Sequence, residues 1–320
     1  MRKLSRLEAL PSRRALAMTI GTFDGLHLGH QRVLARLRER SRSHAGGRLP
    51  IVLLSIDNRG FKDPGGGALL DPLHRLGLLE ELGVDYLVTL PFARVRHLGY
   101  EAFLRRVTER ANLAYFCASE KLRIGRGRLG TPPRVTSALA RLAPASAVEY
   151  LPSVNDPGGD GPIAASKIRQ FIREGGMERA AKLLGRPYRL EGRVLAGKRL
   201  GRTLGFPTLN QAPDPSRVMP REGVYLTRVT VAGFTRPALS FLGRPWIQQK
   251  KGAPPPPLGL ESYLLNFKKS VYNRGAQVEF LQYVRENRRF SGVDELKRQM
   301  DADLAFAKRF FRGEPALTAP

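Results

Sequence analysis

The stretch GTFDGLHLGHQ, Gly21 to Gln31, decides how the N-terminal half of the chain folds. A largely apolar run leads into it, so Ala15 to Phe23 reads as a strand that the Asp24-Gly25 turn signal closes. Behind it comes GHQRVLARLRERSR, where Val33, Leu34 and Leu37 recur at helical spacing. Strand, tight turn and helix in this order let backbone amides near the glycines approach an anion, and the helix start adds positive potential. His27 and His30, two of the five histidines, stand three apart in the turn and could donate hydrogen bonds to a phosphate during its transfer. The structural alternative is that one histidine caps the turn and the other faces solvent. A zinc site is not favoured, since no third and fourth ligand with metal-site spacing lies nearby in the sequence.

Outward from this turn the same alternation continues. Ile51 to Ile56 reads as a short strand buried in a parallel sheet, Leu73 to Leu82 as a helix, and GVDYLVTL as another strand. Glu101 to Ala111 reads as helical and Leu113 to Ala118 as a further strand. Together these predict an open α/β sheet whose ligands bind beyond the carboxyl ends of its strands. Phe61 to Pro72 and Val154 to Pro162, rich in Gly, Pro and Asp, are expected to be loops.

After a helical stretch, Ser166 to Leu184, the character changes at Gly185-Arg186-Pro187. Strand patterns follow over Tyr188 to Val194, Gly223 to Val231, Ala238 to Phe241, Leu260 to Phe267 and Ala276 to Val284, which predicts a small antiparallel barrel. Lys250 to Gly259 is a proline-rich loop. A terminal helix is signalled by Ser291 with Asp294 three positions on, and by Val293, Leu296, Met300 and Leu304. The expected organisation is one domain over residues 1–184, a second over 185–312 and a frayed tail over 313–320, with the first dozen residues loose.

The second informative stretch is GKRLGRTLGFPTLN, Gly197 to Asn210. Gly197, Gly201 and Gly205 interleave with Lys198, Arg199 and Arg202, so the loop can wrap phosphates with its amides while the cations offset their charge. It is not a P-loop, because no Gly-Lys-Ser/Thr closes it. Thr208 and Asn210 flank Leu209, so in an extended segment both side chains point the same way. Such hard oxygen donors suit magnesium completed by nucleotide phosphates and water; ordinary turn capping is the alternative. Glu261, at the start of ESYLLNF, could act as general base for a hydroxyl nucleophile or be a solvated strand end.

Composition sets the outer limits. At 320 residues two domains are the natural expectation. The single cysteine, Cys117, excludes an internal disulfide and a thiolate metal cluster and fits a reducing compartment. No apolar run reaches membrane-spanning length, so the chain is expected in the cytoplasm. The net charge of +26 favours polyanionic partners without choosing among nucleotides, RNA and anionic membranes. Arginine is spread along the chain rather than interleaved with aromatics, so nucleic-acid binding is not the favoured reading.

Taken together the motifs resemble the bacterial bifunctional riboflavin kinase/FMN adenylyltransferase family, the FAD synthetases. The resemblance covers roughly Ala15 to Ala307, from GTFDGLHLGHQ through LLGRPYRLEGRV, GRTLGFPTLN, REGVYL and ESYLLNF to VRENRRFSGVDELKRQMDADLAFA. It implies a Rossmann-like α/β nucleotidyltransferase domain followed by a riboflavin kinase β-barrel with a terminal helix. It also implies ATP, riboflavin and FMN as substrates, FAD as product and Mg2+ as cofactor. By position, Glu261 would accept the riboflavin hydroxyl proton, Thr208 and Asn210 would hold magnesium, and the loop Gly197 to Gly205 would cover the phosphates. Arg285 would lie on the flavin side as part of the closing segment. His27 and His30 match the pair that steadies the α-phosphate of ATP, with Gly21, Phe23, Asp24 and Gly25 in the same nucleotide-binding turn and Ser166 and Arg169 contributing from a later motif.

The chain departs from the family in places. Ser55-Ile56-Asp57-Asn58-Arg59 stands where a Pro-His-Pro segment is usual, Ser119 to Gly125 puts Lys121 in place of an acid, and Ile163 to Arg169 replaces two hydroxyls with Ala164 and Ala165. Each lost group costs about 1 to 3 kcal/mol of transition-state binding. In the second domain Phe241 and Trp246 replace an asparagine and a threonine, and Asn273 a glycine. The expected function is phosphorylation of riboflavin together with adenylylation of FMN. The alternatives are a kinase with a weakened first domain and a basic RNA-binding protein derived from a flavin enzyme.

Overall fold

The computed structural model of the chain describes residues 1–11, 14–57, 66–197, 201, 205–244 and 257–312. The chain divides into two compact units, Met1–Ala165 and Ser166–Pro320.

The first unit is a six-stranded, all-parallel sheet of β1 (Arg2–Leu4), β2 (Ala15–Gly21), β3 (Ile51–Asp57), β4 (Tyr86–Pro91), β5 (Asn112–Ser119) and β6 (Ala147–Leu151), ordered β1-β4-β3-β2-β5-β6. The chain leaves β2 in one direction toward β3 and β4 and returns to its other side for β5 and β6. The carboxyl end of β2 is therefore a topological switch point, where open sheets of this kind bind ligands, and the GTFDG turn sits there.

Strand residues alternate between two cores. On one face Leu16, Met18, Ile20 and Val52 pack with Phe103 and Val107 of α4 (Tyr100–Thr108) and Val135 and Leu139 of α5 (Pro132–Leu142). On the other, Ala17, Ile51 and Leu53 pack with Val33, Leu34 and Leu37 of α1 (Leu28–Arg42) and Leu79 of α2 (Pro72–Glu81). A short α3 (Phe92–Val95) follows β4. Cys117 is fully buried in the second core, and desolvation pushes its thiol up to about 11.

One expectation is corrected here. Among the described residues of the first dozen, the start of the chain is not loose: Arg2 to Leu4 form the edge strand β1, and the Arg2 amide donates to the Asp85 carbonyl at 2.8 Å. A three-residue strand is too short to show a period, and what orders it is the unpaired edge that β4 offers. The sequence reading also passed over α5 and β6. α5 opens on Pro132-Pro133, a favoured start, while the half-buried β6 is interrupted by Glu149.

The second unit begins with α6 (Ala165–Glu174) and α7 (Met177–Leu184), one continuous helical pattern in the sequence, broken at Gly175, whose φ is 84°. A side chain at Gly175 would also press on the Tyr283 ring at 3.2 Å. α7 packs on β7 (Tyr188–Arg193) and β12 (Gly275–Arg285), so the compact units part at Ala165/Ser166, earlier than the composition change at Gly185.

The remaining strands are β8 (Leu209–Gln211), β9 (Gly223–Val231), β10 (Phe234–Gly243) and β11 (Gly259–Leu264), in an antiparallel sheet ordered β7-β12-β9-β10-β11-β8. Its two edges meet, because Leu195, just past β7, bridges Asn210 of β8, which curls the sheet toward a barrel. Inside, the hydroxyls of Thr227, Ser240 and Ser262 form a buried chain across β9, β10 and β11, each link 2.7 Å. α8 (Val293–Arg312) closes the unit and packs against β10. The Ser291 hydroxyl and amide both donate to Glu295 at 2.7 Å, so the side chain that meets Ser291 is Glu295 and not the expected Asp294. The proline-rich loop and the tail beyond Arg312 lie outside the described residues except at 257–259.

Candidate functional site

In the first unit the predicted turn forms as read, with a feature the sequence does not announce. His27 is the N-cap of α1 without a side-chain capping bond, so the capping alternative is not realised. Its ring instead stacks on His30 at 3.7 Å between centroids, and Phe23 stacks on the other side of His30 at 4.5 Å. This layering is bound up with unusual backbone: Phe23 and Leu26 hold φ of 47° and 45°, and Gly25 holds 80°. Left-handed non-glycine residues cost free energy and persist where surrounding structure demands them, here at the turn that stacks the rings of Phe23, His27 and His30. Gly21 leaves room for the Phe23 ring, which an added methyl would meet at 2.9 Å. Asp24 accepts the Leu69 amide at 3.2 Å, tying the turn to the segment before α2.

Burial, then the neighbouring His27 and Arg75, push the His30 imidazole well below its ordinary value, so it is neutral at pH 7. Arg75 is the residue that sequence reading missed. It reaches from α2 to the Ser55 hydroxyl at 2.6 Å and the Thr22 carbonyl at 3.3 Å, at the carboxyl ends of β3 and β2. Nothing in the helical pattern of α2 marks it, since its relation to His30 arises only when the sheet forms. Asn58 and Arg59 lie outside the described residues. Ser166 and Arg169 fall in the first turns of α6, in the second unit.

In the second unit the expected groups converge. Glu261 and Asn210 are paired across β11 and β8. The Thr208 hydroxyl lies 3.3 Å from Glu261 Oε2. Loss of hydration raises the Glu261 carboxyl above its ordinary value, and the Thr208 hydroxyl opposes that rise. The glycines of the preceding loop approach closely: a methyl on Gly197 would lie 2.5 Å from the Asn210 side chain, and one on Gly201 would strike the Phe206 carbonyl and come within 3.5 Å of the Thr208 hydroxyl. Gly205 holds φ of 88°, a conformation that favours glycine. Lys198, Arg199 and Arg202 lie outside the described residues, as does Trp246.

The donor set suits a small divalent ion. Among the described residues no three His, Cys, Asp or Glu side chains gather to hold a metal alone. Thr208 and Asn210 offer neutral oxygens beside a carboxylate, an arrangement matching Mg2+, which takes few protein ligands and keeps water and phosphate oxygens for the rest.

Asn210, Glu261, Phe241, Val224 and Arg285 form one cross-strand row over β8, β11, β10, β9 and β12. Arg285 does not point freely from its end of the row. Its guanidinium is engaged with Asp303 of α8 through contacts of 2.7 to 3.1 Å.

An open parallel sheet with stacked imidazoles at its switch point, joined to a curled antiparallel sheet bearing a carboxylate over oxygen donors, is the layout of a two-domain enzyme acting on nucleotide phosphates. Residues 10–156 match the family model for FAD synthetase and residues 184–311 that for riboflavin kinase. A bifunctional riboflavin kinase/FMN adenylyltransferase from Pseudomonas fluorescens is 32% identical over 314 residues, 97% of this chain and 95% of the relative. Those of Bacillus subtilis and Escherichia coli K12 are each 29% identical, with 92% of both chains covered. The chain belongs to the bifunctional riboflavin kinase/FMN adenylyltransferase family. The fold is also that of the crystal structure of a macrolide-efflux protein from Streptococcus pneumoniae, with a TM-score of 0.84, 24% identity and coverage of 96% of this chain and 98% of that one. That likeness carries the fold alone. Among the described residues no helix is long and apolar enough to cross a membrane.

Proposed function

We propose that the domain over residues 185–312 phosphorylates riboflavin with Glu261 as base, and that the domain over residues 1–184 adenylylates the FMN so formed at the turn bearing His27 and His30. The observation that carries the reading is the 3.3 Å approach of Thr208 to Glu261, with Asn210 in register beside it.

Glu261 takes the proton of the 5′-hydroxyl as that oxygen attacks the γ-phosphorus of ATP. The new P–O bond forms as the β–γ bridging bond breaks, and its electron pair leaves on ADP. A carboxylate with a raised proton affinity is the better acceptor for this task. Thr208 and Asn210 would hold Mg2+, which when bound neutralises charge on the phosphates. The loop of Gly197, Lys198, Gly201, Arg202 and Gly205 supplies amides and cations to the same phosphates, and Arg285 stands on the flavin side.

In the second reaction a phosphate oxygen of FMN attacks the α-phosphorus of another ATP and pyrophosphate leaves. The imidazoles of His27 and His30, the latter neutral, donate to the α-phosphate, within a turn made by Gly21, Phe23, Asp24 and Gly25. The enzyme works in the cytoplasm, a reading supported by its one buried cysteine. Nucleic-acid binding, which the net charge of +26 would suit, is not the favoured reading.

Separating the flavins formed from riboflavin, MgATP and pyrophosphatase tests the proposal. FMN followed by FAD is expected. FMN that accumulates without FAD would leave a kinase only, and no FMN at all would overturn the assignment of Glu261.

A further inference from the structure

The cross-strand row raises a question that the site alone does not answer. Glu261, Phe241, Val224 and Arg285 are successive register partners, so three strand spacings of about 4.8 Å separate the base from Arg285, roughly 14 Å along the sheet. One bound small molecule can reach across such a span. Ser240, Leu242 and Ser262, the alternate residues, are buried on the inner face, which puts Phe241 and Glu261 on the outer one. α8 packs on β10, the strand that carries Phe241.

What fixes α8 at this level is one buried carboxylate. Asp303 and Ala307 are the buried residues of the helix, four apart and so on one face. Asp303 accepts from Arg285 Nε at 3.1 and 3.0 Å and from Arg285 Nη2 at 2.7 Å, and Gln299, one turn earlier, donates to it at 2.8 Å. The connection between β12 and α8 folds back on the same pair. Phe290 lies under Arg288 at 4.9 Å and near Arg285 at 5.9 Å, and Ser291 is bound to Glu295. A bidentate guanidinium–carboxylate pair fixes both distance and angle, which a packed apolar contact does not.

We propose that Asp303 is a positioning residue for the phosphoryl acceptor: by gripping Arg285 it holds α8 and the connection before it as a wall beside the outer face of the sheet, level with Glu261. The inference rests on the kinase reading of that face. Asp303 touches neither substrate; it acts through Arg285 and the helix, so its removal weakens capture of the flavin more than the chemical step.

The test is steady-state phosphorylation of riboflavin by the full chain at saturating MgATP, with thermal melting of each variant. Asp303→Asn keeps the shape and removes the charge; KM for riboflavin is expected to rise about 10-fold with kcat within about 3-fold of the parent, the size of one lost charge-assisted contact. Arg285→Lys, which leaves Asp303 in place but ends the two-point grip, should give a similar rise, and it carries the test should the Asn variant not fold. The double variant should be little worse than either single one. An unchanged KM in a folded variant, or a fall in kcat alone that follows the loss of melting temperature, overturns the proposal. Glu261→Gln separates the two levels: if it turns over normally the kinase reading itself fails, whereas a dead Glu261→Gln beside an unaltered KM in Asp303→Asn sinks only the role of Asp303.

Discussion

The two candidate sites are assembled by opposite routes. In the first unit the candidate groups come from one short turn: Phe23, His27 and His30 stack because they are close in the chain and the backbone bends sharply between them. In the second, Thr208, Asn210, Glu261 and Arg285 come from three strands and a loop, and only register brings them level. A turn-built site tolerates change in the sheet behind it but little change in its own residues. A register-built site can vary between its members, as Phe241 shows, provided the strands do not slip.

The sharpest way to break this contrast is at Glu261. Glu261→Gln is expected to lower FMN formation about 10^3-fold with MgATP binding changed less than about 3-fold, as read by single-turnover kinetics and nucleotide titration. As the proposed base, Glu261 must be ionised in the parent, and its proton affinity is raised by desolvation. Phosphorylation should therefore fail on acidification at a pH above that of an ordinary carboxylate, and a limb at or below the ordinary value would show that the group is hydrated during turnover.

A smaller effect is expected at the turn. His30→Ala should reduce FAD formation about 10^2-fold and leave FMN formation as in the parent, measured on the same flavin chromatogram. Equal loss of both activities would mean that the two sites are not independent.

The smallest effect belongs to the scaffold of the first unit. Glu149 on the edge strand β6 accepts from Tyr115 at 2.6 Å and from Arg36 at 3.0 and 3.1 Å. Burial raises its proton affinity, but these bonds outweigh burial and hold the carboxyl below its ordinary value. Its contribution is therefore present above the unfolded value and lost as pH falls through the lower folded one. Glu149→Gln should cost about 1 kcal/mol at pH 7, and the deficit should vanish in acid, checked by denaturant titration at both pH values.

What could be read from the chain follows the same division. The central strands β2, β3 and β5 and the helix α1 were legible because apolar runs and periodic leucines are local signals. Gly223–Val231 was readable to the residue. β1 and β8 were not, since three residues carry no period and each exists through an edge to pair with. Likewise His27 and His30 were candidates from their spacing within the strand–turn–helix, whereas Arg75 and Asp303 are picked out only by partners 20 and 18 positions away. Thr208, Asn210 and Glu261 were separable suspects in the sequence, and their convergence needed the resemblance of whole motifs to a known family.

The buried hydroxyls of the curled sheet tie three strands together. Thr227, Ser240 and Ser262 are linked in series at 2.7 Å, and the Ala238 carbonyl lies 3.3 Å from Thr227. This chain penalises any sliding of β9, β10 or β11 past one another, because a one-step shift would strand all three oxygens in an apolar interior. The neighbours of these hydroxyls on the opposite face are Phe241 and Glu261. Buried polar links inside the sheet thus help keep the Glu261 carboxylate opposite Asn210 and Phe241 outside.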